Sequence, residues 1–402
     1  MIMKNPQQTL SLLGELAVLL YAAGCAQMPS DASPRSSAQA PMEHQVVASK
    51  SGSFYAWPAN HGVWTWSGGR EILVGFSSGP FVQQSGHNID GDTELGIQSF
   101  LSRSTDGGRT WTIEKPANYI GKDVRLSESP GGINYQHPNL AMRVIGNGYH
   151  GVGHHRGGFF LSLDRGRSWR GPFEFGALMD DPNLKEMDCT SRTGYLVTGK
   201  DSCLFFMSAR ARQNGGGRDK SFVAETTDGG KTFHFVSWIV PLSDPHRAVM
   251  PAPVPLADGS MVVALRRRIP SSETEACWVD CYGSKDNGRT WKFLSQVGAT
   301  GVENGNPPAL AVLQDGRLAC AYGDRTWGKL LARLSRDGGQ TWGEEIILRN
   351  DFQSDKFGDK DFGYPRLVQN NRGELVAMYY WATQDLPQQH IAATIWKPAN
   401  QK

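Results

Sequence analysis

An imbalance of charge is the first thing this chain lacks: Lys and Arg number 41 against 39 Asp and Glu, a formal net charge of +2 over 402 residues. No basic run exceeds the three residues Arg266 to Arg268, so the electrostatic footprint of a nucleic-acid partner is missing. An acidic ligand would have to be met by a local patch. Long helical periodicity is also missing, which argues against bundles and coiled coils. Cysteine is scarce, and once Cys25 is set aside the five that remain cannot form a complete disulfide framework within one chain. Cys277 and Cys281 would share one face of a strand but lie roughly 13 Å apart at about 3.3 Å per residue, so buried free thiols are expected. Cys189 and Cys203 could pair only by flanking a turn, and no bridge is expected there. His150 and His154 have the spacing of a helical metal pair, but the glycines around them (GNGYHGVGHHRGG) argue for hairpin and loop. No metal ion or cofactor is expected.

Residues 1–25 read as an export signal. Lys4 precedes the apolar stretch Leu10 to Tyr21, too short for a stable membrane span, and Ala22-Ala23-Gly24-Cys25 follows. The last four resemble the bacterial lipobox, whose acylated cysteine becomes the new first residue, so membrane contact is expected only through a lipid on Cys25. Residues 26–43 are rich in Pro, Ser and Ala and suit a flexible tether. The folded domain is expected over 44–402, in a periplasmic or outer-membrane lipoprotein or a secreted protein.

Glycine, by contrast, is plentiful at 47 residues, and much of it punctuates repeats. STDGGRTW, SLDRGRSW, TTDGGKTF, SKDNGRTW and SRDGGQTW begin at residues 104, 162, 226, 284 and 335, at intervals of 58, 64, 58 and 51. In the shared pattern [ST]-x-D-x-G-x-[ST]-[WF], the Asp and hydroxyl side chains can bond the backbone of a turn. The Gly can supply φ > 0, and the aromatic can pack between sheets. This is a folding device rather than a reactive site.

A second unit, strand–turn–strand, recurs at 61–76, 137–153, 194–208, 251–266, 306–323 and 363–381, with turns holding GG, NG, GK, DG, DG and RG. Six such hairpins, five of them followed by the eight-residue motif, predict an all-β, six-bladed β-propeller, with seven blades as the lesser alternative. The last unit has one further strand near Gln389 to Trp396, and His44 to Lys50 is expected to supply the missing one and close the ring. In this topology the repeated motifs lie at the bottom. The opposite mouth should gather His61, His87, Asp90, Asp92, His137, His154, His155, Arg156, Tyr195, Arg210, Arg212, His246, Arg247, Arg266, Arg268, Glu303, Arg325, Tyr364 and Arg366. A mouth so lined suits a carboxylate-bearing ligand, because Arg offers a planar bidentate fork and His titrates near neutral pH.

The eight-residue motif resembles the Asp box, or bacterial neuraminidase repeat, and residues 44 to 397 resemble the sialidase superfamily. The resemblance implies three arginines that clamp a sugar carboxylate, a Tyr nucleophile activated by a Glu, and an Asp acid/base. Tyr364 in GYPRLVQNNRGELVAMYY is similar to the nucleophile segment, Arg266 and Arg325 to the second and third arginines, and Asp92 or Asp90 to the acid/base. Two positions depart from the pattern. His61 stands where the family's first arginine belongs, and the expected Glu falls at Met250, leaving Glu303 one blade later. An exo-α-sialidase-like hydrolase of acidic oligo- or polysaccharides is therefore the leading expectation, with Tyr364, Glu303, Asp92, His61 and His137 catalytic and Arg266, Arg325, Arg247, Arg210 and His154 binding. The alternatives are a lyase or rhamnosidase-like enzyme on uronic-acid glycans using His137, His154, Tyr195 and Arg210, and a non-catalytic glycan-binding propeller.

Overall fold

The computed structural model describes residues 41–91, 96–119, 125–147, 154–190, 192–212, 219–269, 276–302 and 305–399. The expected export signal and nearly all of the tether lie outside them. Among the described residues the chain is all-β, interrupted only by the single-turn helix Pro58–His61 and the 3-10 turns Ser67–Gly69 and Gly176–Asp180.

Antiparallel strand groups follow one another along the chain. In the first, Ser53–Ala56 and Gly62–Trp66 lie end to end along one edge of Glu71–Pro80, followed by Gln98–Ser104 and Thr112–Glu114. Pro58 opens the helix between the two short strands, where its fixed φ and missing N–H cost nothing. Next come Ala141–Ile145, Gly158–Ser162 and Arg170–Phe173. Met187–Cys189 and Tyr195–Val197 then share one edge of Cys203–Ala211, followed by Lys220–Thr226 and His234–Trp238. Arg247–Pro255, Met261–Arg268, Cys277–Ser284 and Lys292–Gly301 are joined to that group by one parallel pair, Lys220 with Ala248. Ala309–Val312, Leu318–Asp324, Lys329–Ser335 and Ile346–Arg349 form the next group. In the last, Gly363–Gln369, Leu375–Trp381 and His390–Trp396 are completed by Glu43–Ala48, antiparallel to His390–Trp396. The N-terminal strand thus pairs where the sequence places it.

Five of the six expected hairpins form; the second arm of the one at 137–153 falls outside the described residues, and Ala141–Ile145 pairs with Gly158–Ser162. The core lies between neighbouring groups, whose strands are buried on both faces and so read as near-continuous apolar runs. Val376, Met378 and Tyr380 pack on Ile72, Val74 and Phe76, and Leu73 and Leu101 pack on Phe160 and Trp169. The five described cysteines are buried thiols outside any disulfide among the described residues.

The Asp boxes are stitched alike. In the first, Ser104 Oγ donates to Asp106 Oδ1 (2.8 Å), Gly108 N donates to Ser104 Oγ (2.8 Å), and Thr110 donates from N (3.0 Å) and Oγ1 (2.7 Å) to the Asp106 carboxylate. Trp111 Nε1 returns to Gly108 O at 2.8 Å. Asn370, just beyond the Gly363–Gln369 strand, donates to Gly107 O at 3.0 Å. The box therefore sits at the opposite end of that strand from Tyr364.

Candidate functional site

The innermost strands carry an irregularity in common. Trp57, Met250 and Tyr364 have left-handed backbones (φ 58, 58 and 49), and each is followed by proline. Bulges interrupt the pairing of Met250 and Tyr364, and Trp57 opens the helical turn. Such backbones cost about 1–3 kcal/mol each and bulges re-aim side chains, so a shared kink on separate strands has a positional use. The kinks meet: Ala59, Val249 and Met250 form one cluster on which Tyr364 packs. Further along, Val63, Gly194, Pro253, Leu310 and Leu367, from five strand groups, line a cavity of about 280 Å³.

Tyr364 is half-buried at this meeting point. Asn306 Oδ1 accepts its main-chain N–H at 2.8 Å, Arg266 Nη1 donates to its hydroxyl at 3.2 Å, and the Arg325 guanidinium lies 5.9 Å from its ring centre. Burial alone would raise the phenol's pKa. Arg266, Arg325, Arg192 and His87 overcome that and bring it down to about 8. Arg325 is held by Asp361 Oδ1 (3.4 Å), Phe362 O (3.4 Å) and Tyr380 Oη (3.2 Å). Arg192, buried, donates to Asn60 Oδ1 and to Thr190 O (3.1 Å). Arg366 spans strand groups, giving Nη2 to Ala59 O (2.6 Å) and Thr193 O (2.8 Å), and burial and then Arg192 lower its pKa to about 10.

His87 Nδ1 stands 2.9 Å from Asp361 Oδ2, with the His87 side chain 39% exposed and Asp361 buried. Burial disfavours the imidazolium, but Asp361 outweighs it and raises the pKa of His87 above its ordinary value. Tyr380 Oη also donates to Asp361 Oδ1, and the edge of the His87 ring meets Trp57 with centroids 5.0 Å apart.

The structure thus brings Arg266, Arg325 and His87, all expected at the mouth, to Tyr364 and adds Arg192 and Asp361. His61 is sealed instead. It is 0% exposed, contacts Tyr119 Oη (3.2 Å) and Ser77 Oγ (2.9 Å), and is held neutral by burial and by Arg143, Arg366 and Arg192, so it is corrected to a packing residue. His137 is half-buried, and its Nδ1 accepts the main-chain N–H of Asn139 at 3.3 Å, while the Asn139 main chain and side chain accept bonds from Arg165 in the second Asp box. Arg247 pairs with the buried Asp219 at 3.1 Å. Arg210 is half-buried near the end of its strand, opposite Asp188. His154 is half-buried in a loop, stacked on His155 with centroids 4.6 Å apart. Asp92 and Glu303 lie outside the described residues. Arg192 and Asp361 were not singled out from sequence. Their signal is position, each shortly before the start of an innermost strand.

A phenol with a pKa near 8 is about one-tenth ionised at pH 7, without any base to deprotonate it. Ringed by arginines, it is a nucleophile or base poised beside a site for an anion. The model of the BNR repeat-like domain matches residues 139–377, more than half of the sequence. The chain belongs to this BNR repeat-like family. Solved structures of similar fold include a protein of unknown function from Dyadobacter fermentans (TM-score 0.65, 19% identity, covering 89% of this chain and 98% of that one). Another is a Penicillium chrysogenum α-L-arabinanase complexed with arabinobiose (0.53, 14%, 87% and 98%). A third is the NanB sialidase of Streptococcus pneumoniae (0.52, 10%, 84% and 68%). At these identities the likeness is one of fold, a propeller-like all-β architecture of BNR type that glycoside hydrolases also use. No curated protein matches the sequence.

Proposed function

We propose that this BNR-family chain is an exported six-bladed propeller, and a sialidase-like glycoside hydrolase that cleaves terminal carboxylate-bearing sugars with Tyr364 as nucleophile. The observation that carries the reading is the half-buried Tyr364 phenol under Arg266 and Arg325, with its pKa near 8. A carboxylate nucleophile would be repelled by the substrate's own carboxylate, whereas a phenolate stabilised by cations need not be. Arg192, Arg266 and Arg325 hold the sugar carboxylate, and the phenolate attacks the anomeric carbon as the leaving oxygen departs with the bonding pair and takes a proton. Water then releases the sugar from Tyr364. The six-bladed reading is supported by the six antiparallel strand groups obtained when the single parallel pair Lys220–Ala248 is taken as a boundary.

Release of dye from a fluorogenic α-sialoside tests the reading, and Tyr364→Phe should cut turnover by on the order of 10³-fold or more. No release from any carboxylate-bearing aryl glycoside would refute it. One observation favours a second reading, elimination from a uronic-acid glycan with Tyr364 as base: Asp361, the carboxylate tied to this cluster, is already bonded to His87, Arg325 and Tyr380. That reaction leaves a C=C bond that absorbs in the ultraviolet, which hydrolysis does not. For export and tethering through Cys25, Cys25→Ser should move the protein from the membrane fraction to the soluble one.

A further inference from the structure

We propose that His87, oriented by Asp361, gives the leaving-group oxygen its proton. This rests on the hydrolytic reading above and supplies the acid that reading requires. The pair has the spacing of an ion pair, with Nδ1 2.9 Å from Asp361 Oδ2, and with Nδ1 facing the carboxylate the transfer is assigned to Nε2. Asp361 is in turn fixed by Tyr380 Oη and Arg325, and the perpendicular contact with Trp57 limits rotation of the His87 ring. The His87 side chain remains 39% exposed, open to a ligand in a way that His61 is not.

The groups acting on His87 come from separate segments. Asp361 precedes the Gly363–Gln369 strand, Tyr364 lies within it, and Arg325 follows Leu318–Asp324. Asp361 favours the protonated ring and outweighs burial and Arg325. On the same wall of the site the phenol is driven toward its ionised form, so two neighbouring groups are pushed in the directions an acid and a nucleophile need. In the first step the Tyr364 oxygen bonds to the anomeric carbon, the carbon–oxygen bond to the leaving group breaks, and its electron pair takes the proton from His87 Nε2. In the second step neutral His87 accepts a proton from water. The water oxygen bonds to the anomeric carbon, and Tyr364 leaves as phenolate.

The test compares His87→Gln with the unaltered protein on two α-sialosides, one with a 4-methylumbelliferyl leaving group and one, sialyllactose, with a sugar hydroxyl. A departing aryl oxygen needs little protonation and a sugar oxygen needs much. The variant should lose about 10²-fold or more on sialyllactose and much less on the aryl substrate. It should also lose the acid that limits rate at high pH. Equal losses on both substrates would overturn the assignment while leaving the hydrolytic reading intact, since a merely structural histidine has no reason to sense the leaving group. If the unaltered protein cleaves neither sialoside, the hydrolytic reading and this assignment fall together. Imidazole ¹⁵N spectra give a readout without turnover: the resonance absent from His87→Gln should titrate at a higher pH than an ordinary imidazole, and a midpoint at or below the ordinary value would also overturn the proposal.

Discussion

The 3.2 Å contact from Arg266 Nη1 to the Tyr364 hydroxyl links a strand position to a titration. Replacing Arg266 by Met removes the nearest stabiliser of the phenolate, so the Tyr364 midpoint, read from phenolate absorbance, should rise from about 8 toward the ordinary tyrosine value. The sign is fixed, because loss of a cation favours the neutral acid. The rising limb of kcat/KM with pH should move upward by the same amount. Tyr364, Arg266 and Arg325 were legible in the sequence because each sits at the end of a recognisable hairpin. His87 was placed at the same mouth, but Arg192 and the Asp361 partner of His87 were not, since their neighbours are fixed by connections whose course no periodicity dictates. His61 misled for a related reason. Position brought it toward the mouth, but the one-turn helix Pro58–His61 turns its ring into the packing against Tyr119 and Ser77.

At the scale of elements, the Asp boxes predict the acid response. Burial works against ionisation of Asp106 and Asp228, but bonds from the hydroxyl and N–H of Thr110 and Thr232 outweigh it; at Asp286 the bond from Thr290 leads, and all three pKa values fall to about 2. Folded values below the unfolded one contribute stability that is full above about pH 4 and is lost as pH falls through about 2. The Tm should therefore drop between pH 4 and 2, and Asp228→Asn should lower the Tm at pH 7 while flattening that drop. Gly363 makes a sharper case. Its φ is 97 and an added Cβ would strike Asn306 Oδ1, the acceptor of the Tyr364 N–H, so Gly363→Ala should cost about 1–3 kcal/mol in chemical denaturation and activity besides. The boxes and five hairpins were legible because Asp, Gly and hydroxyl residues at fixed offsets have one mechanical use.

Across the whole molecule, Glu43–Ala48 binds the two ends of the described chain. It pairs with His390–Trp396, Val47 packs in the cluster shared by the first and last strand groups, and Val47 O accepts a bond from Ser102. Removing residues 41–50 should cost ~3 kcal/mol or more from Val47 and Ala48 alone. It should also bare an edge of His390–Trp396, seen as a lower Tm and concentration-dependent aggregation. The all-β class and this closing pair could be read in advance because strand alternation survives in sequence. Which side chains converge across the centre could not, because that depends on how the groups pack together. One consequence of the closing strand concerns time. A chain that emerges in order holds its opening segment idle while some 340 residues follow, since the partner starts only at His390. Until then each unfinished sheet edge is open to strangers, and the growing chain must be kept from pairing too soon.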